Sequence, residues 1–169
     1  MRPVLLIILI VFLSACESEL CRDSVSPVQV DLEVERLEEE LFKSQSAKEV
    51  EDFLEAHEDF ATFFLDADQY PSIEVLASQI YTLLQNPSID TLYQEAKTAF
   101  ESFDQIETEL ESSMGRLKAY YPETKTPKIQ TVVTGLYKDM FITNEHIMIG
   151  LDFFIGEDAS YKPQEIPNY

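Results

Sequence analysis

The chain has 169 residues, enough for one modest domain with a single core, and its 32 Asp and Glu against 12 Lys and Arg give a net charge of −20. That balance makes nucleic acid and anionic lipid headgroups poor partners, because phosphate contacts need Lys or Arg stripes and no basic patch is visible, and no nucleic acid is expected to bind. Glycine is confined to Gly115, Gly135, Gly150 and Gly156, which predicts a helical first part and a turn-containing second part.

The N-terminus carries one positive charge, at Arg2, ahead of an apolar run over residues 4–13. A run of that length fits a secretory signal and is too short to span a bilayer, which takes about 20 apolar residues. Leu13, Ser14 and Ala15 then lead into Cys16, an order similar to the lipobox of bacterial lipoproteins, where cleavage leaves the cysteine as an acylated N-terminus. The competing reading is an ordinary secretory signal that happens to contain cysteine. On the lipobox reading, residues 1–15 are a signal peptide and Cys16 binds the protein to a bilayer through its acyl chains, outside the cytoplasm. Cys21 then has no partner within the chain and is either a bystander thiol or a site of intermolecular pairing. Residues 16–29 form the acylated cysteine and its tether, and residues 30–169 a single α+β domain.

Val28, Val30, Leu32 and Val34 alternate with polar residues and predict an extended segment, after which Leu37, Leu41 and Phe42 fall on one helical face. The run Glu38, Glu39, Glu40 reads as a solvated helix face, with docking of a basic partner as the other reading. Ser46 and Glu49 form a capping box, and Val50, Phe53, Leu54, His57, Phe60, Ala61 and Phe64 follow at helical spacing, predicting one continuous amphipathic helix. A second helix starts near Pro71 and Ser72 and closes at Asn86 and Pro87. From Leu92 to Tyr121 the apolar spacing of three and four predicts either one long helix or two that break near Asp104. Residues 128–137 and 140–154 are rich in β-branched and aromatic residues, with a turn at Thr143, Asn144 and Glu145, and predict a small antiparallel sheet. The sequence stops soon afterwards without a cap or closing helix, so one sheet face is expected to be short of cover and the domain truncated at its C-terminus.

Chemical motifs are sparse. His57 and Glu58 resemble the start of a His-Glu-x-x-His zinc pattern, but position 61 is alanine, and the plain reading of His57 is a partly buried histidine on an amphipathic face. Asp66 and Asp68 lack the further oxygen ligands and the glycine of a calcium loop and read as helix-terminating residues. Asp152 lies inside an apolar run, where a carboxylate must find donors or shift its pKa; a structural hydrogen bond to nearby backbone is the plainer reading and a functional role the other. No Gly-rich phosphate loop, Gly-x-Ser-x-Gly elbow or Cys/His/Asp constellation is present, so neither catalysis nor a cofactor or metal is expected.

The lipobox, the segment at residues 34–42, the proline-bounded helices and the final run from residue 147 together resemble the gliding motility-associated lipoprotein GldB family. Gly150, Leu151, Asp152, Gly156, Tyr161, Pro163, Pro167 and Tyr169 fit the family's most specific motif. The resemblance implies an N-terminal half of a longer protein whose remainder has a zincin-like, metallopeptidase-like fold. It also implies a role in gliding, coupled to type IX secretion, with the envelope proteins of the gliding machinery as partners; the anchor, the acidic surface and the absence of catalytic groups make the expected role a non-enzymatic one. The readings set against it are the non-catalytic half of a zinc peptidase and a periplasmic module that binds a ligand between sheet and helices.

Overall fold

A computed structural model describes residues 25–163. Among these residues the chain first lies along the last helix, runs through a short strand, and then makes six helices before returning to the sheet. In order these are β1 (Val34–Arg36), α1 (Leu37–Leu41), α2 (Ala47–Ala56), α3 (Glu58–Phe63), α4 (Ile73–Leu84), α5 (Pro87–Ala99), α6 (Asp104–Tyr120), β2 (Lys128–Val132), β3 (Met140–Ile142) and β4 (His146–Gly150). Single 3₁₀ turns at Ala67–Gln69 and Leu151–Phe153 follow α3 and β4.

Local chemistry sets most helix limits. Ser46 accepts a hydrogen bond from the Glu49 amide at 3.2 Å, and Glu49 reaches back to the Gln45 amide at 2.8 Å, so the expected capping box forms one residue wider than predicted. Asn86 accepts from the Ser88 amide at 2.9 Å, and Pro87 occupies the first turn of α5, where a missing amide hydrogen has no cost. The region from Leu92 to Tyr121 resolves into two helices that break between Ala99 and Asp104. Further upstream, the helix expected to run unbroken from Ser46 to Phe64 splits at His57, whose backbone leaves the helical region at φ −119°, ψ 53°. The apolar stripe survives the break: Val50, Phe53, Leu54, Phe60, Ala61 and Phe64 are all buried.

The sheet corrects the expectation of a purely antiparallel arrangement. Its order is β1-β2-β4-β3, with β1, β2 and β4 parallel and only the β3–β4 hairpin antiparallel. After β2 the chain skips one position, lays down β3 at the edge, and turns back through residues 143–145 so that β4 enters beside β2 in the same direction. The hairpin was readable from its turn residues, whereas the parallel pairings join strands that no tight turn connects. An inner parallel strand is covered on both faces, and β2 is buried from Ile129 to Val132.

Register sorts the sheet into two faces. Val132, Met148 and Phe141 join Leu37, Phe53, Phe60, Phe64 and Leu76 in the larger core. Ile129, Val133 and Leu151 on the opposite side pack with Ile89, Leu92, Ala96, Val30 and Leu32. The expected lack of cover is therefore limited to one end of one face, where Met140 and Ile142 of β3 are exposed. Phe60 and Phe64 stack at 5.6 Å, and full burial of such a side chain contributes about 1.5–3 kcal/mol.

Two further details depart from the expectation. Val30 and Leu32 of the expected extended segment are buried while Val28 is exposed, and the pairing strand starts only at Val34; the preceding segment lies on α6 instead, with the Val28 amide bonded to the Gly115 carbonyl at 3.1 Å. Gly115 permits this approach, since a Cβ there would stand 2.3 Å from the Val28 carbonyl oxygen. Glu38 is not part of a solvated face: it is 1% exposed, pairs with the Arg36 guanidinium, and accepts from the Thr131 hydroxyl at 2.8 Å. The helix begins directly at the end of β1, so its first turn faces the sheet, while Glu39 and Glu40 point outward.

Candidate functional site

The carboxyl ends of β2 and β4 lie side by side, and the segments that leave them meet at Asp152. Asp152 is 1% exposed, and its Oδ2 accepts from the backbone amides of Thr134 at 3.2 Å and Leu136 at 2.5 Å. Two successive left-handed residues, Gly135 at φ +75° and Leu136 at φ +63°, curl residues 134–136 so that these amides converge. A leucine in that region costs on the order of 1–2 kcal/mol, so the carboxylate holds a turn the chain would not otherwise favour. Oδ1 of the same group is buried without a hydrogen-bond partner. Desolvation pushes the Asp152 carboxyl above its ordinary value, against the pull of the backbone donors from Leu136, Thr134 and Gly135.

The other motif residues support this turn and its surroundings. A Cβ on Gly150 would stand 2.2 Å from the Lys138 carbonyl oxygen, so only glycine lets β4 pass the start of β3. Leu151 is buried in the α5 core, and Gly156 adopts φ +112°, a conformation that side chains oppose. The Tyr161 hydroxyl accepts from Ser88 at 2.9 Å, which ties the C-terminal segment to the start of α5. Pro163 is the last described residue and is exposed. Pro167 and Tyr169, like Leu13, Ser14, Ala15, Cys16 and Cys21, lie outside the described residues.

The turn held by Asp152 forms one wall of a cavity of about 420 Å³ between the sheet and α4. Its floor is Phe60, Leu76, Val132 and Val133, all buried, and its mouth lies among Gln79, Leu83 and Tyr137, which are exposed. Across the mouth the β2–β3 loop is fastened to the segment after α3. Asp66, itself left-handed at φ 55°, accepts from the Tyr137 hydroxyl at 2.8 Å and from Lys138 Nζ at 2.9 Å. Lys138 and then Tyr137 hold the Asp66 carboxyl below its usual range. In sequence Asp66 reads as a helix terminator; its partners are some seventy positions downstream, so no local pattern announces the clasp.

The histidines are separate from this cavity. His57 sits at the α2–α3 break with Nδ1 3.7 Å from Glu35 and Nε2 3.5 Å from Glu40, and His146 lies 3.6 Å from Asp59. Asp68 falls in the 3₁₀ turn after α3 and does not join Asp66 in holding Lys138. Among the described residues no group of three or more His, Cys, Asp or Glu is arranged to hold a metal ion. Nor is any described helix long and apolar enough to cross a membrane.

These features define an α+β domain with helices on both faces of a mixed four-stranded sheet and an apolar cavity beside the strand ends. The chain belongs to the gliding motility protein GldB family, whose model matches residues 19–169 and so takes in the sheet, the Asp152 turn and the cavity. It is therefore a gliding motility-related protein. No curated protein and no solved structure gives a significant match.

Proposed function

We propose that the protein is a non-enzymatic, lipid-anchored component of the cell envelope that supports gliding, and the type IX secretion coupled to it, through contacts with other envelope proteins. Family membership over residues 19–169 is the observation that carries this reading. The order Leu13, Ser14, Ala15, Cys16 behind a short apolar run supports the anchor, since two or more acyl chains hold a protein on a membrane where one does so only marginally. The motif glycines and Asp152 support it too, because each has a structural task in the turn or strand that contains it. A zincin-like relation of the fold belongs to the same proposal and rests on the family resemblance, with which a mixed sheet bearing one antiparallel edge strand is compatible.

The test is a Cys16→Ser chain in the source bacterium, read by membrane fractionation, by mass spectrometry of the N-terminus and by colony spreading. The wild-type protein is expected to begin at an acylated Cys16, and the variant to lose both lipid and spreading. A variant that spreads normally and carries no change in membrane association would overturn the proposal.

A further inference from the structure

We propose that the cavity between α4 and the sheet binds a single acyl chain carrying an uncharged head group. The cavity opens to solvent at one side, and its space of about 420 Å³ is within the range of ligand sites. Its walls suit no other guest equally well. None of the lining side chains is charged, although charged residues make up 26% of the sequence. Aliphatic groups from α1, α4, α5 and β2 supply most of the surface, with Leu41, Leu76, Ile80, Leu84, Ile89 and Val132 among them.

The polar groups on the wall are few and partly engaged. The Thr134 hydroxyl accepts from the Tyr137 amide at 3.2 Å, and the Tyr137 hydroxyl donates to Asp66. That leaves the Tyr70 hydroxyl and the Gln79 amide as the side-chain partners on offer to a guest. A peptide brings a donor and an acceptor with every residue and would bury them unpaired, and cavity water needs two to four polar partners for each molecule. A hydrocarbon chain needs none. The head group would rest at the mouth, where Gln79 is neutral and the nearby Lys138 is paired to Asp66, within a chain of net charge −20. An anionic head group finds no counter-charge there.

The experiment uses the full chain in its own membranes and a 1-acylglycerol probe bearing a photoreactive diazirine in the acyl chain, with cross-linked peptides mapped by mass spectrometry. Because the probe is labelled, any acyl group native to the protein is not counted. Cross-links are expected on α4 and on residues 132–137, to be competed by unlabelled 1-palmitoylglycerol, and to be stronger than those of the matching fatty acid. Leu83→Trp places an indole in the mouth, where it obstructs entry of the chain, and is expected to reduce labelling by about tenfold. Gln79→Trp, at an exposed position on the same helix, provides a second block, and circular dichroism establishes that both variants are folded. Labelling scattered over the surface, or left unchanged in both folded variants, would overturn the site. Stronger labelling by the fatty acid would overturn the uncharged head group. A loss of spreading in the Cys16→Ser strain has no bearing on either outcome, so the two proposals fail separately.

Discussion

Replacing Asp152 tests whether a buried carboxylate holds the turn at the end of β2. In Asp152→Ala the amides of Thr134 and Leu136 lose their acceptor inside the protein, and the left-handed Leu136 loses what fixes it. Each unpaired buried donor costs about 1–3 kcal/mol, so a loss of about 2–4 kcal/mol is expected after partial relaxation of the turn. Asp152→Asn keeps an oxygen for both amides but cannot ionise, and it isolates the charge. Burial raises the carboxyl above its unfolded value, so the folded state binds this proton more readily than the unfolded state. Stability from this group is full below the unfolded pKa and falls as pH rises through the folded pKa, by about 1.4 kcal/mol for each tenfold difference in proton affinity between the two states. The asparagine variant is therefore expected to gain on the wild type as pH rises above the ordinary carboxyl range. Urea unfolding of both proteins at several pH values measures the difference, and other carboxylates cancel in it. A gap that does not change with pH, or one that widens in favour of the wild type as pH rises, would refute the desolvation argument. An alanine variant as stable as the wild type would refute the role of the turn.

Two other perturbations follow from the packing. Gly150→Ala drives a methyl group to 2.2 Å from a backbone oxygen that cannot move without parting β3 from β4, so a loss of about 3 kcal/mol or more is expected in thermal unfolding, with the hairpin amides exchanging first. Glu38→Ala leaves the Arg36 guanidinium and the Thr131 hydroxyl beside an apolar group in a buried setting, with an expected cost of about 3–5 kcal/mol by urea denaturation. Near-neutral behaviour of this variant would show that Arg36 is held by the Phe100 carbonyl and the Phe103 ring alone.

Local order along the chain was legible wherever neighbours in sequence decide it. Ser46 with Glu49 and the apolar stripe from Val50 to Phe64 act within one or two helical turns; the capped start and the buried stripe formed as those residues predicted, while the single helix expected there splits at His57, and Pro87, read as closing α4, also opens α5. The hairpin at residues 143–145 was readable for the same reason, since both its strands flank the turn. Asp152 could be singled out because a carboxylate in an apolar run must be compensated somewhere. Its partners could not be named, because they come from the end of another strand and depend on two left-handed residues, one of them an ordinary leucine. Residue type therefore determined the helices, the hairpin and the family motif of this protein. Only the tertiary structure decided that β1, β2 and β4 run parallel, that Glu38 is buried against Thr131, and that Asp66 clasps the loop over the cavity. Those outcomes depend on contacts between segments that no tight turn connects, most of them dozens of residues apart, where burial and register select the pairing and no local spacing encodes it.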